Sequence, residues 1–167
     1  MTELNIPEED IFFLRGKHAV VTGASRGIGA AIASTLARLG ADLTLMSRNE
    51  ARLREQAAML TKSFNSKAQA IAVDIAQPEQ VSAAFARAAD QYGPPQILIN
   101  NAGIAMAAPV GKTDLPKWQR LMEVNLTGPF LCIREVVQEM SKGDYGRIIN
   151  IASTAGLTGY AYVAAYC

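Results

Sequence analysis

The feature that most constrains this chain is a repeated switch between two periodicities. Five short apolar runs, HAVVTG from His18, ADLTLMS from Ala41, AQAIAVD from Ala68, PQILINNAG from Pro95 and GRIINIAS from Gly146, each end in small or polar residues. Apolar runs that do not alternate with polar residues are what strands buried on both faces require, and parallel sheets bury their strands this way. Between the runs lie longer segments with helical spacing. Ile28, Ile32, Leu36 and Leu39 fall on one face, and Val81, Phe85 and Ala88 repeat the pattern. Strand, helix, strand in steps of roughly thirty residues predicts βαβ units. Stacked together they make an α/β fold, a doubly wound parallel sheet in a three-layer αβα arrangement. There is no internal repeat, low-complexity tract or linker, so residues 16–167 read as one domain and residues 1–15 as a loosely held arm.

The totals exclude several classes. A chain of 167 residues can bury a core without disulfides or metals. A formal net charge of +1 argues against nucleic acid or an anionic membrane held by bulk electrostatics. No run is long enough for a membrane span. The N-terminal MTELNIPEEDIFF is acidic where a secretory signal is basic. Cys132 and Cys167 make neither a disulfide framework nor a metal-ligand spacing, which points to a reducing, cytoplasmic setting without a metal. His18 reads as a surface residue rather than a ligand.

The longest predicted helix runs from about Leu115 to Met140 and contains VNLTGPF. Pro129 removes the hydrogen bond to the Asn125 carbonyl, so the helix should bend there and leave that carbonyl for water. The alternative is two helices joined by a turn at Gly128–Pro129. Apolar spacing continuing through Leu126, Phe130 and Ile133 favours the bend.

The VVTGASRGIGAAI segment places Gly23, Gly27 and Gly29 between the first strand and its helix. Glycine lets the backbone turn sharply there and lets a pyrophosphate approach the free N–H groups of the helix N-terminus. TGASRGIG, together with NNAG at Asn100 to Gly103, resembles the short-chain dehydrogenase/reductase family over about residues 13–167. The resemblance implies a Rossmann-like fold whose glycine turn binds a dinucleotide through Gly23, Ser25, Arg26, Gly27, Ile28 and Gly29. It places Asn101, with Ala102 and Gly103, on the adenosine side, and Asp74 and Ile75 against the adenine. By itself Asp74 would more often be a helix cap.

The end of the second strand selects the nicotinamide. NAD enzymes of this architecture usually carry an acid there for the ribose hydroxyls. Here the position is Ser47, followed by Arg48 and Asn49, and Asp42 stands at the wrong end of the strand. A carboxylate repels a 2′-phosphate, whereas guanidinium groups bind one. Arg48 and Arg26 could close on it from two sides, although each could equally be a solvated residue at a helix start. The missing acid favours NADP(H) over NAD(H).

The resemblance also implies a reaction, the interconversion of a carbonyl and a secondary alcohol. Ser153, in NIASTAG, matches the residue that hydrogen-bonds the substrate oxygen. Tyr166, thirteen positions later, matches the general acid/base, and Asn125 the residue that holds a relay water. Tyr160 and Tyr162 compete with Tyr166 for that role, and the family spacing selects Tyr166. The family's Tyr-x-x-x-Lys motif is cut off, because its lysine would stand three residues past Cys167. A phenol that ionises near pH 10 is a poor base at neutral pH without such a cation.

The expectation is therefore an N-terminal portion of an NADP(H)-dependent oxidoreductase, its sheet incomplete on the C-terminal side. RIINIAS would be an open edge and the long helix would show an apolar face. The substrate would be a small carbonyl compound, with a 3-oxoacyl type weakly indicated. The resemblance implies a homodimer or homotetramer for the full-length protein. A different class of reading is a non-catalytic dinucleotide-binding module or inactive fragment, resting on the absent lysine.

Overall fold

The computed structural model describes residues 13–167. Of the arm expected over residues 1–15, residues 1–12 lie outside the described residues. Leu14, within the same stretch, is buried in the core and its N–H donates to the Leu39 carbonyl.

The five apolar runs form five parallel strands: β1 (His18–Thr22), β2 (Asp42–Ser47), β3 (Ala68–Ala72), β4 (Ile97–Asn100) and β5 (Arg147–Asn150). Their order in the sheet is β3-β2-β1-β4-β5. The chain first winds outward from β1 to β3, then crosses back to lay β4 on the other side of β1. This reversal opens a crevice at the carboxyl ends of β1 and β4, where open α/β sheets bind ligands.

Helices cover both faces, and alternate strand residues feed two cores. Ala19 and Val21 of β1 join Leu43, Leu45, Leu53 and Leu60 on one face. Val20 joins Met46, Ile71, Phe85, Leu98 and Val136 on the other. That two-sided demand is why these strands read as unbroken apolar runs rather than alternating ones.

Helix α1 (Gly27–Arg38) lies on the sheet by a different face from the one its large residues predict. Its buried line is Gly29, Ala33 and Ala37. Ile32, Leu36 and Leu39 are only partly buried, packed against the same core, and Ile28 is 65% exposed. Small residues let the helix axis approach the sheet, and the branched side chains fill its flanks. Helix α2 (Glu50–Phe64) buries Leu53, Ala57 and Leu60. Helix α3 (Pro78–Tyr92) buries Val81, Ala84, Phe85 and Ala88, as its spacing predicts.

The long helix is continuous in backbone conformation but changes pitch. Helix α4 (Leu115–Met122) runs into a π turn over Glu123–Thr127 and then into α5 (Gly128–Lys142). The Gly128 N–H donates to the Glu123 carbonyl, and Thr127 and Gly128 keep right-handed helical angles, so no turn separates two helices here. Pro129 has no N–H to return to Asn125, and the widened turn accommodates that gap.

His18 corrects its expectation as a surface residue. It is 2% exposed. One ring nitrogen lies 2.7 Å from the Gly93 carbonyl and the other 2.9 Å from the Thr44 hydroxyl, and Tyr92 packs edge-on. His18 opens β1, beneath the β1–β2 pair, where a polar side chain is tolerated because its partners are built in.

The exposed C-terminal side agrees with the sequence. No residue of β5 is buried, and Leu126, Phe130 and Val137 leave apolar surface on the π turn and α5. Among the described residues, no helix is long and apolar enough to cross a membrane.

Candidate functional site

A groove of about 550 Å³ opens at the carboxyl ends of β1 to β4. Gly23, Ser25, Arg26, Gly27 and Ile28 line it from the β1–α1 turn, and Ser47, Arg48 and Asn49 from the end of β2. Asp74 and Ile75 enter after β3, and Asn101, Ala102 and Gly103 after β4. Of the residues expected at the nucleotide, Gly29 alone does not line the groove. It stands behind the turn, where a Cβ would come within 2.5 Å of the Gly23 carbonyl oxygen and 2.4 Å of Asn101 Nδ2. Gly29 is required for close packing, and so acts on the turn from behind.

Two side chains hold this turn. The Thr22 hydroxyl accepts from the N–H groups of Asn101 and Ala102, both at 3.0 Å, and itself donates to the Ile99 carbonyl. The Asn101 amide donates to the carbonyls of Thr22 and Gly23. The second asparagine of NNAG therefore fastens the glycine turn as well as lining the groove. Gly27 adopts a left-handed φ of +58°, and a Cβ there would meet nothing within 4 Å. The start of α1 carries no side-chain cap and no acid in its first turn. Its unpaired N–H groups and positive dipole end are left for an anion, so the turn fits the bridging phosphates of a dinucleotide.

The groove's other end is basic. The Ser47 hydroxyl accepts from the Asn49 N–H, and the Asn49 side chain caps α2 by accepting from the Arg52 N–H. This places Arg48 and Arg52 on the groove, with Arg26 contributed by the glycine turn. None of the three forms an ion pair among the described residues, whereas Arg54, outside the groove, is taken by Glu50 at 2.6 Å. Arg52 was not anticipated, although its position one helical turn after Arg48 was a usable signal.

Asp74 is not a helix cap. Helix α3 begins four residues later behind Gln77. The Asp74 carboxylate accepts from the Ala76 N–H at 3.1 Å and from Arg120 Nη2 at 2.7 Å. Burial pushes its carboxyl up, but the Ala76 N–H, the Arg120 guanidinium and the Arg48 charge outweigh this and hold it below its ordinary value. Arg120, Val73, Ile104 and Val124 also line the groove without having been anticipated. Arg120 comes from 46 residues away in sequence, and no local pattern marks it.

The three expected catalytic residues are less closely gathered. Asn125 sits on the π turn and pairs with the main chain of Ile104 in both directions, at 2.9 and 2.8 Å. Its side chain is thus committed to the loop after β4. Ser153 lies just past β5 and its hydroxyl accepts from the Ala155 N–H at the start of a short 3₁₀ turn. Tyr166 is half-buried, its N–H donating to Val163. Among the described residues Asn125, Ser153 and Tyr166 share no hydrogen bond, and none of them lines the groove. Tyr160 meets the Thr154 hydroxyl at 3.3 Å, while Tyr162 lines a separate cavity of about 210 Å³ with Met106 and Ala165. Burial, reinforced by Glu135, pushes the Cys132 thiol up to about 12.

The family model for short chain dehydrogenases matches residues 17–167. The chain belongs to the short-chain dehydrogenase family. It is 34% identical over 146 residues to a 3-oxoacyl-[acyl-carrier-protein] reductase of Aquifex aeolicus, covering 87% of this chain and 59% of the relative. The L-sorbose reductase of Gluconobacter frateurii, solved with NADPH and L-sorbose, superposes with a TM-score of 0.89 at 34% identity, covering 93% of this chain and 59% of that one. A metagenomic short-chain oxidoreductase solved with NADP gives 0.87 at 37% identity, covering 92% and 69%. The chain spans 61% and 55% of the length of two curated relatives it matches, an uncharacterized oxidoreductase of Staphylococcus saprophyticus and a short-chain type dehydrogenase/reductase of Picea abies.

Proposed function

We propose that the protein is an NADP(H)-dependent oxidoreductase that interconverts a carbonyl and a secondary alcohol. The observation that carries this reading is the end of β2, where no acid follows the strand and Arg26, Arg48 and Arg52 stand on the groove without ion-pair partners among the described residues. A 2′-phosphate is the cofactor group that such an end suits, and a ribose diol gains little from it. The neighbours solved with NADPH and NADP support the same choice.

When bound, the cofactor supplies the hydride; the chain supplies orientation and a proton. In this reading Ser153 donates a hydrogen bond to the substrate oxygen, and Tyr166 delivers the proton as negative charge develops there. Asn125 holds the loop after β4 through Ile104 and offers its carbonyl to a relay water. The substrate is a small carbonyl compound, with 3-oxoacyl chemistry favoured by the Aquifex relative. The same reading makes the enzyme cytoplasmic and, at full length, a homodimer or homotetramer.

Comparison of NADPH and NADH affinity before and after Arg48→Asp tests the assignment. NADPH binding is expected to weaken at least about tenfold, the worth of one charge-assisted hydrogen bond, with NADH little affected. An unchanged preference refutes it.

A further inference from the structure

Tyr162 stands in a backbone conformation that tyrosine rarely adopts. Among the described residues, two that are not glycine have a left-handed φ, Asn65 at +51° and Tyr162 at +66°. Asn65 closes α2, a place that suits asparagine, whose short polar side chain tolerates this region. Tyr162 caps no helix and is 66% exposed, so neither capping nor burial accounts for its strain.

A main-chain bond holds it there. The Tyr162 carbonyl accepts from the Ala108 N–H at 2.6 Å. The neighbouring main-chain bonds are local, from Gly156 to Ser153, Thr158 to Thr154, and Tyr166 and Cys167 to Val163. The Ala108 bond instead ties the segment after β5 to the loop after β4.

We propose that Tyr162 is a positioning residue: by taking the left-handed conformation it offers its carbonyl to Ala108 and so seats the segment that carries Tyr166. This role rests on the reading of Tyr166 as the acid/base.

One loop receives both ties. Asn125 grips it at Ile104, and Ala108, four residues on, holds Tyr162. Asn125 and Tyr166 are thereby placed relative to the same stretch of chain, although they share no hydrogen bond. Beyond the tie, Ala164 and Ala165 lie with Val110, Leu115 and Trp118 around a cavity of about 380 Å³. The left-handed region costs a tyrosine about as much as one main-chain hydrogen bond contributes, so seated and released forms are closely balanced. The bond uses backbone atoms alone, and the side chain at 162 therefore sets the balance through its tolerance of φ.

The test is hydrogen exchange at the Ala108 amide, with the Val21 amide in β1 as reference, on the wild type, Tyr162→Gly, Tyr162→Ala and Tyr162→Val. Trp118 is the chain's one tryptophan, so acrylamide quenching of its fluorescence reads the seating of Ala164 and Ala165 separately. Neither cofactor nor substrate is present, and the outcome stays distinct from whether Tyr166 is the acid. Tyr162→Gly is expected to slow Ala108 exchange about fivefold and to lower Trp118 quenching, because glycine enters the left-handed region freely. Tyr162→Ala should stay near the wild type although the phenol is gone. Tyr162→Val should bring Ala108 exchange toward the unprotected rate and raise quenching, because a β-branched residue tolerates this φ least. Val21 should not move in any variant.

Equal Ala108 exchange in Tyr162→Gly and Tyr162→Val overturns the inference. A graded Ala108 response with Trp118 unchanged overturns it too, because the bond then does not seat the segment. So does a parallel change at Val21, the mark of a general effect on stability.

Discussion

Strands β4 and β5 are hydrogen-bonded neighbours with nearly the same sequence, ILIN and RIIN, and they meet opposite fates. Ile99 and Ile149 stand side by side in register, yet Ile99 is 2% exposed and Ile149 is 47% exposed. The difference lies in what covers each strand. β4 has β1 on its other side and helices over both faces, whereas β5 is the edge of the sheet. An apolar run thus decides that a strand forms, and its neighbours decide how much of it is buried. The division has a functional side, since nearly every nucleotide candidate belongs to the covered part while Ser153 and Tyr166 follow the bare edge.

The largest expected effect tests this division directly. Ile99→Ala should cost about 2–5 kcal/mol, combining lost transfer energy with a cavity. Ile149→Ala should cost less than about 1 kcal/mol, because its side chain is already half in water. Urea unfolding of the two variants measures both. A cost at Ile149 equal to that at Ile99 would break the comparison and mean that the edge is covered in solution.

A smaller effect sharpens it at the covered part's polar spot. The Gly93 carbonyl can only accept, so His18 Nδ1 carries the proton and Nε2 accepts from the Thr44 hydroxyl, which in turn accepts from Gln69. Protonated His18 would face Thr44 with a second donor. Burial accordingly lowers the His18 pKa, against the opposing pull of the Gly93 carbonyl and Asp42. The unfolded chain then binds a proton below about pH 6.5 that the folded chain does not, so stability should fall as pH drops below that value. The slope from this group is at most about 1.4 kcal/mol per pH unit. His18→Gln should lose about 1–3 kcal/mol at neutral pH and flatten that slope. Urea midpoints between pH 5 and pH 8 would show it, and an unaltered slope would remove His18 as its source.

Much of the covered part was legible because its signals are local. Gly23, Gly27 and Gly29 sit in one turn, and the end of a strand is visible as Ser47–Arg48. What escaped depended on distance or on tertiary packing. Arg120 meets Asp74 only after the sheet has folded. The face of α1 was misjudged because large apolar residues mark helical periodicity, while close contact with a sheet selects Gly29, Ala33 and Ala37. His18 looked solitary because Gly93, its partner, is 75 residues away. The proline in the long helix was legible as a disturbance, and the π turn is the form it takes.

The smallest effect separates two helix starts within the groove itself. Helix α2 is capped, the Asn49 side chain accepting from the Arg52 N–H, whereas α1 begins with no side-chain cap. If the capped start serves the fold and the bare start serves an anion, the two should respond differently to loss of a cap. Asn49→Ala should cost about 1 kcal/mol of stability. It should weaken NADPH binding only a few-fold, through looser placement of Arg48 and Arg52, and leave the glycine turn's hold on the pyrophosphate intact. NADH, which lacks the 2′-phosphate, then should bind the variant as it binds the wild type. A matching loss of NADH affinity would mean that the two helix starts act as one site, and that the basic end and the glycine turn are not separable parts of the groove.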